Sequence, residues 1–538
     1  MAQNLPPIEG QKLPTIEGHT RVQGKDRLLE DNVYGSPVDL WQHRFRRIGC
    51  GIIFLILLLI ILWAIWRFGR DAPYTYAGDV DHFKWGSIGS EPGGSLADSQ
   101  GGLLPPYEIF KVLPQITPDR LPGGYASLGL IMEKGNELPV GITRRYRLGF
   151  DQVGVNCALC HTGTWRTNEK DERHIVAGMP ANRLQIQRLF KFLLDSTLDE
   201  RFTADNVIGK IEQNGGHLSP IDKLLYRLTL VGRVRAATLL MQGRMGLLMD
   251  PTQVTEWGPG RVDTFNPYKA LQFNWPLAAL PREELNAPSD YPALWNQAPR
   301  DGMDLHWDGN NASLAERNLS ASLGAGVTPV TIDHPAVDRV AKWALTLPAP
   351  KYPFAIDSAK AAHGQAVYAA AHCLDCHGDN HFRDGVKNGQ YLGKVTPIAA
   401  AGTDDKRFNS YTFQFASNQY TLFPESKYRF SHFKKTNGYA NQPLDAIWAR
   451  APYLHNGSIP TLRDLLEPAA NRPATFYKGY DVYDQQKVGF VSNVASEGAT
   501  QHYLFDTAKS GNGNKGHEWG TTLSPDEKDA LVEYMKTF

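Results

Sequence analysis

One short pattern occurs twice, as CALCH at Cys157–His161 and CLDCH at Cys373–His377, and it is the strongest indication of the fold and the cofactor of this chain. In each copy two residues separate a pair of cysteines, and a histidine follows the second one directly. This spacing is the signature of c-type haem attachment, since the thiols bond to the two vinyl groups of one porphyrin and the histidine ligates its iron. We therefore predict two covalently attached haem c groups. The attaching thiols are Cys157, Cys160, Cys373 and Cys376, and the proximal iron ligands are His161 and His377.

Other uses of paired cysteines explain the pattern less well. A zinc site needs a second pair of ligands nearby to complete a set of four, and each motif here is already complete as a haem motif. A thioredoxin-like dithiol needs no trailing histidine, and a disulfide would not explain the two histidines. The fifth cysteine of the chain, Cys50, lies in an apolar run and is expected to pack as a small hydrophobic residue.

The surroundings of the second motif predict a small α-helical cytochrome c domain. Ser358–Ala371 reads as a helix leading into the motif, and Ser524–Phe538 reads as a terminal helix with a serine cap and proline at its first position. The sixth iron ligand of such a domain usually comes from the loop before the last helix, where His517 is the strong candidate. His455 competes for this role. A bis-histidine iron is saturated and suits electron transfer.

The first motif leaves its sixth ligand open. His174 and Met179 follow closely and could ligate the iron, or the distal face could be open to O2 or peroxide. Helices are expected at Asn182–Leu194 and Pro220–Met249. The mixed helix and loop between the two motifs exceeds what one haem fold needs, which indicates a pocket over the first haem.

An uncharged run of 19 residues, Ile48–Trp66, predicts a single transmembrane anchor. At 1.5 Å per residue it spans roughly 28 Å, close to the hydrocarbon thickness of a bilayer. A cleaved signal peptide and a buried core helix are the alternatives, and both usually have shorter apolar runs. Because bacteria attach c-type haem outside the inner membrane, we expect residues 1–47 to form a disordered cytoplasmic tail and the haem domains to be periplasmic.

Composition limits the remaining possibilities. The 538 residues include 56 basic and 56 acidic side chains, a balance that argues against a nucleic-acid-binding protein. We predict a mainly α protein in which one N-terminal transmembrane helix precedes two cytochrome c-like haem domains. The first domain, residues 71–350, would be enlarged by insertions and contain long irregular loops, and the second would span residues 351–538.

An ordered series of segments resembles a known family. The segments are LPVG at Leu138–Gly141, VGVNCALCHTG at Val153–Gly163, GPGRVDTFNP at Gly258–Pro267, LHWDGNN at Leu305–Asn311, ERN at Glu316–Asn318, CLDCHG at Cys373–Gly378, RAPYLHNGSIPTL at Arg450–Leu462 and NKGHEWG at Asn514–Gly520. Together the chain resembles the di-haem c-type oxygenases related to rubber oxygenase and bacterial di-haem fatty-acid dioxygenases, within the di-haem cytochrome c peroxidase superfamily. The membrane anchor departs from the secreted pattern of rubber oxygenase and favours a membrane-proximal lipid or a redox partner.

The resemblance implies that the two haems have different roles. The haem on His161 would be the reactive one, and the haem on His377, with His517 as its second ligand, would pass electrons. Trp307 would then lie in the inter-haem region. The candidates for an apolar distal wall are Trp257, Phe265 and Phe273.

Three functions follow from these expectations. The favoured one is an oxidoreductase of the oxygenase type, which uses O2 at the first haem on an apolar or lipid substrate and exchanges electrons with a partner protein. The second is a peroxidase that reduces H2O2 and needs a distal acid or base, for which Glu169, Glu172 and His174 are available. The third is an electron carrier without catalysis.

Overall fold

The uncharged run near the N-terminus is part of one long helix in the computed structural model, which describes residues 37–89, 105–424, 426–498 and 500–538. Helix α1 spans Pro37–Gly69, and among the described helices it alone is long and apolar enough to cross a bilayer. By length and composition such a helix is a membrane anchor or a signal sequence. Residues 37–47, expected in a disordered tail, are helical, whereas residues 1–36 of that expected tail lie outside the described residues.

Helix is the larger component of the regular structure, at 43% of the described residues against 13% in strands. After α1 the described helices are α2 (Asp79–Trp85), α3 (Tyr107–Ile116), α4 (Cys157–Cys160), α5 (Ile186–Leu198), α6 (Ala204–Gln213), α7 (Pro220–Leu225), α8 (Val231–Met245), α9 (Asn266–Gln272), α10 (Leu314–Gly324), α11 (His334–Thr346), α12 (Ser358–Ala370), α13 (Cys373–His377), α14 (Ile398–Ala401), α15 (Lys406–Ser410), α16 (Phe413–Gln419), α17 (Leu462–Leu465) and α18 (Pro525–Met535).

The strands form small antiparallel sheets. The first is three-stranded, in the order β1 (Asp71–Pro73), β2 (Ile142–Arg147), β3 (Phe150–Val155). The two-stranded sheets pair β4 (Thr162–Trp165) with β5 (His174–Ala177), β6 (Arg261–Asp263) with β7 (Pro288–Asp290), β8 (Val395–Pro397) with β9 (Gly438–Ala440), β10 (Thr475–Lys478) with β15 (Tyr503–Asp506), β11 (Tyr483–Asp484) with β12 (Gly489–Phe490), and β13 (Ser496–Glu497) with β14 (Thr500–Gln501).

Two helices predicted around the second motif, α12 and α18, pack against each other. Gly364 lies at their crossing, where a Cβ atom would stand 1.9 Å from the carbonyl oxygen of Ala530, so only glycine permits this approach. Helix α18 begins with the predicted capping box, in which Ser524 and Glu527 bond to each other's backbone amides. The Tyr368 hydroxyl on α12 donates to the Gly378 carbonyl and thereby fixes the end of the motif helix α13.

The long helix expected at Pro220–Met249 is present with one irregularity. A π-helical stretch, Tyr226–Leu230, joins α7 to α8, and a 3-10 turn follows α8. By contrast, the helix expected from Asn182 begins only at Ile186. The reason is that the Asn182 side chain bonds to both backbone groups of Thr164 on β4 instead of capping a helix.

The residues that follow α1 pack together into one body. Trp66–Phe538 forms one compact unit, and residues 1–65 are grouped separately. Contacts connect the two sides of the expected boundary at residue 350. Arg166, directly after β4, forms backbone hydrogen bonds with the segment around Val482. The division into domains at residue 350 stays a prediction.

Candidate functional site

The first cysteine pair is held at the start of a short helix. Asn156 caps α4 by accepting a hydrogen bond from the Ala158 amide, and its side-chain amide donates to the carbonyls of Phe83 and Gly86. Gly141 allows the chain to pass close by, because a Cβ atom there would lie 2.2 Å from backbone atoms of Leu159. These contacts fix both thiols against the N-terminal part of the body.

The two motif histidines have the same second contact. His161 Nδ1 lies 2.7 Å from the carbonyl oxygen of Pro292, and His377 Nδ1 lies 2.7 Å from that of Gln442. Because a carbonyl can only accept, Nδ1 carries the proton in each ring and Nε2 keeps its lone pair. Burial lowers the pKa of both histidines, that of His161 to about 4, so both rings are neutral near pH 7. This is the state in which a histidine ligates a metal.

The imidazole of His517 faces that of His377. Their ring centroids are 6.2 Å apart. Two imidazoles that bind one metal ion through bonds of about 2 Å have centroids about 6 Å apart, so this pair fits a single iron. The Nδ1 atom of His517 is buried and has no hydrogen-bond partner among the described residues. Its backbone is fixed by a bond to the Ala401 carbonyl.

The side chain of His455, the alternative ligand, contacts Tyr439. Its Nε2 lies 3.0 Å from the Tyr439 hydroxyl, and the two rings stack at a centroid distance of 4.0 Å. The Arg450–Leu462 segment around it instead supports β7, because the His455 carbonyl accepts from the Asp290 amide. The geometry therefore favours His517.

A cavity of about 310 Å³ lies beside His161. Cys157 and Cys160 line it together with the histidine, so it adjoins the first motif. Most of its other walls are apolar, with Phe190, Met241, Met245, Phe265, Leu271 and Phe415 among them. His517 faces His377, but no histidine ring of the described residues faces His161 in the same way. The aromatic ring near His161 is that of Tyr291, and the two ring centroids are 6.3 Å apart.

The predicted distal-wall residues are only partly in this cavity. Phe265 and Trp307 line it. Trp257 does not, because its ring is fully buried in the core around α5. Phe273 packs behind the wall, against Phe415 and Tyr268. The expectation is therefore corrected at both positions: Trp257 is a core residue, and Phe273 is a partly buried residue outside the described cavity wall.

The candidates that follow the first motif lie away from the cavity. Met179 is fully buried with Trp165 and Trp295 in a different core cluster. His174 stacks on Trp165 at a centroid distance of 4.0 Å. Neither side chain is part of the described cavity wall, and the same holds for the glutamates at positions 169 and 172.

Trp307 lies on a chain of hydrogen bonds between the two motif histidines. Its indole donates to the Asp290 carbonyl at 2.8 Å, two residues before the Pro292 carbonyl that holds His161. On the other side, the Gln442 amide donates to the carbonyl of His306, next to the tryptophan, at 3.2 Å. Gln442 also supplies the carbonyl that holds His377.

Sequence reasoning missed Arg317, which lines the cavity from α10. Its guanidinium bonds only to the Asn318 side chain, at 2.9 and 3.3 Å, and it has no carboxylate partner in the described structure. Burial lowers the pKa of Arg317 to about 10, which leaves it charged at neutral pH. Burial raises the pKa of Cys157 to about 11, and the nearby charge of Arg317 opposes that rise. The ERN segment contained this residue without indicating its role.

His306 is a second polar residue that the sequence did not indicate. It lines the cavity, and its Nδ1 lies 2.5 Å from the Asn310 side-chain oxygen, which leaves Nε2 as the basic atom. Burial lowers the pKa of His306 to about 4. The cavity wall therefore includes Arg317 and the neutral His306 in mainly apolar surroundings, together with four further arginines, Arg244, Arg300, Arg407 and Arg450.

The donor groups fit haem better than zinc. None of the four motif cysteines forms a disulfide, and no cluster of three His, Cys, Asp or Glu side chains able to hold a metal ion occurs within the ranges that the structure describes. A structural zinc site would need four such ligands. The pairs of thiols with an adjacent neutral histidine match the attachment chemistry of haem c.

Comparisons with known proteins agree with this chemistry. Residues 438–477 match the family described as RoxA-like, cytochrome c-like. Two proteins of Sinorhizobium fredii (strain NBRC 101917 / NGR234) are similar to this chain. The uncharacterized protein y4iJ is 29% identical over 72% of this chain and 76% of its own length, and y4iM is 30% identical over 46% and 64%. The RoxA-like segment supports a RoxA-related cytochrome family, and a cytochrome c-like domain implies covalently bound haem c.

Proposed function

We propose that this protein is a membrane-anchored, periplasmic di-haem c-type cytochrome that acts as an oxidoreductase of the oxygenase type. Its reaction site lies at His161, its small-molecule oxidant is O2, and its substrate is apolar and lipid-like. A single observation carries the proposal: the two motif histidines have different surroundings. A second imidazole stands 6.2 Å from His377, whereas His161 borders a cavity of about 310 Å³.

At the second motif the chain provides two neutral imidazoles, because burial lowers the pKa of His377 and that of His517, the latter to about 4. His377 is oriented by the Gln442 carbonyl, and His517 by the bond between its own amide and Ala401. His377 and His517 would hold the iron of a haem attached here from both sides, and such an iron would be suited to electron transfer.

At the first motif the chain provides one imidazole and an apolar chamber. Haem iron with an open axial position supplies O2 or peroxide chemistry. The residues around it exclude water and hold an apolar substrate, since most of the cavity wall is apolar. Arg317 offers guanidinium donors to an anion in the chamber.

Trp307 and its neighbours connect the two centres. The hydrogen-bonded chain through Asp290, Trp307 and Gln442 joins the backbone groups that orient His161 and His377. We assign Trp307 as the inter-haem residue on this basis. A soluble redox protein would exchange electrons with the second centre.

His306 supports reduction of H2O2 as a second candidate function. A peroxidase needs a base near the iron, and the free Nε2 of His306 lines the cavity. The cavity carboxylates are less suitable. Asp263 accepts bonds from the backbone and side chain of Asn266, and Asp290 is paired with Lys478.

The test begins with the full-length protein in detergent. A pyridine haemochrome assay should give two haems per chain, and the reduced protein should bind one CO for every two haems, because His517 blocks the second centre. One haem per chain, or two haems that both ignore CO, would contradict the proposal.

Substrate assays then separate the two reactions. An oxygenase that adds both atoms of O2 to an unsaturated lipid consumes O2 without net electrons from a donor. A peroxidase consumes H2O2 in proportion to the oxidation of a reduced donor protein. Loss of H2O2 with oxidation of the donor, and no O2 uptake with unsaturated lipids, would establish the second candidate instead.

A further inference from the structure

The helix from Pro220 to Met245 has apolar side chains on its outer side. Five of them, which we call the leucine face, are Ile221, Leu224, Leu228, Leu239 and Leu240, with exposed fractions of 51%, 53%, 71%, 55% and 50%. Their spacing places them along one side of the helix, and the exposed residues between them on that side, Gly232 and Ala236, are small. An exposed apolar patch of this kind marks a binding surface.

The opposite side of the same helix is also apolar, and it is buried. Tyr226, Leu230, Val231, Met241 and Met245 belong to the hydrophobic core. A surface helix of a water-soluble protein turns its apolar residues inward and its polar residues outward. A helix that is apolar on both sides needs a second apolar environment on the outside.

The start of this helix is tied to the end of the apolar helix α1. Arg67, in the last turn of α1, forms an ion pair with Asp222, and it also donates to the Gly149 carbonyl. The Arg67 guanidinium lies 5.2 Å from the centre of the Phe150 ring, which in turn meets Tyr226 edge-on at 5.9 Å. Residues that follow a membrane span directly lie at the level of the lipid headgroups. Asp222, one ion pair away, lies at the same level.

We propose that the leucine face lies on the lipid bilayer and acts as a second membrane contact beside the anchor. An interfacial helix buries leucines at the boundary between headgroups and acyl chains, and its basic residues favour anionic lipids. The helix carries five basic residues and one acidic residue, Asp222, which is already paired with Arg67. A second copy of the chain could also cover an apolar face, but the bond to the end of α1 favours the bilayer.

This surface also indicates where the substrate comes from, a step that rests on the proposed function. Met241, Arg244 and Met245 line the cavity beside His161 from the same helix that carries the leucine face. One helix therefore separates the cavity from the proposed membrane contact. An apolar lipid can pass from the bilayer into the chamber around this helix without crossing water.

The experiment places fluorescent probes on the full-length protein in nanodiscs that contain anionic lipid. Leu228→Cys and Leu239→Cys are each made with Cys50→Ser, so that the label has one free thiol. Val386→Cys, at a position that is 49% exposed in the second haem region, is the matched control. Quenchers attached to lipid acyl chains should quench the probes at 228 and 239 about threefold more than the probe at 386. A water-soluble quencher should show the reverse order.

Each outcome decides between the alternatives. Probes at 228 and 239 that behave like the probe at 386 would overturn the proposal. Probes shielded from the aqueous quencher but not reached by the lipid quencher would also overturn it, and would show a protein partner on this face. Failure of the protein to enter nanodiscs would refute the anchor instead, so the two claims fail separately. Unchanged haem spectra verify that each variant is folded.

Discussion

Replacing Arg317 with methionine should weaken anion binding at the first haem centre while leaving the second centre unchanged. The guanidinium lines the cavity beside Cys157, and Asn318 is its sole hydrogen-bond partner within the described structure. No carboxylate of the described residues forms an ion pair with it, although Asp263 and Asp290 line the same cavity. An anion in the chamber would therefore find a charged donor in mainly apolar surroundings, where such bonds are strong.

The size of the effect follows from the unused bonding capacity of this side chain. Only Nε and Nη2 of Arg317 donate to Asn318, and both reach the same oxygen atom. A hydrogen bond to a charged group contributes about 1.5–3 kcal/mol. At about 1.36 kcal/mol per factor of ten, its loss should weaken binding roughly 10- to 150-fold. Arg317→Lys should fall between the wild type and methionine, because lysine keeps the charge and loses the planar fork.

The assay is an optical titration of the oxidised full-length protein with fluoride and azide. The second centre should bind neither anion, because His377 and His517 would hold both axial positions of its iron. Arg244→Met is the matched control, since Arg244 lines the same cavity. A change of less than twofold in Arg317→Met, or an equal loss in Arg244→Met, would refute a specific role for Arg317. An unchanged haem content and an unchanged low-spin spectrum verify that the variant is folded.

Three further predictions concern the second centre and the buried charges. His517→Ala should convert the second haem from low-spin to high-spin, added imidazole should reverse the change, and His455→Ala should leave the spectrum unaltered; an unchanged spectrum in His517→Ala would exclude it as a ligand. Asp445→Asn should lower the free energy of unfolding by about 3–5 kcal/mol, measured by thermal denaturation, because the buried carboxylate pairs with two arginines that would be left uncompensated. Burial lowers the pKa of Lys478 to about 8, below its value of about 10.4 in an unfolded chain, so the folded state binds fewer protons between these values. Stability should therefore rise by up to about 3 kcal/mol from pH 8 to pH 10, and Lys478→Met should flatten this rise; parallel pH profiles of the two proteins would contradict it.

The features that the sequence predicted well depend on short-range rules. The C-x-x-C-H pattern, the capping box at Ser524 and the helix before Cys373 each involve residues a few positions apart. His517 is a long-range prediction, yet its place before the last helix made it accessible to reasoning. Its ring does face His377.

The cavity could not be predicted in this way, because its wall is assembled from distant segments. Phe190, Met245, Arg317 and Phe415 come from four separate helices. No local periodicity distinguishes a tryptophan that lines a cavity from one in the core, which is why Trp257 was misplaced. Arg317 was missed for a similar reason, since a charged residue on a helix is usually solvated and only the fold shows that this one is enclosed.

Two different backbone segments orient the two motif histidines, and both segments bond to the His306–Trp307 region, which would link the two proposed haem centres. The Pro292 carbonyl holds His161, and the Gln442 carbonyl holds His377. Trp307 bonds to the segment that begins at Asp290, and the side chain of Gln442 bonds to the residue before Trp307. A shift of either histidine therefore displaces a carbonyl whose segment contacts Trp307. Because hydrogen bonding to a ligating histidine changes its basicity, the redox state of one centre should change the ligand properties of the other through this chain.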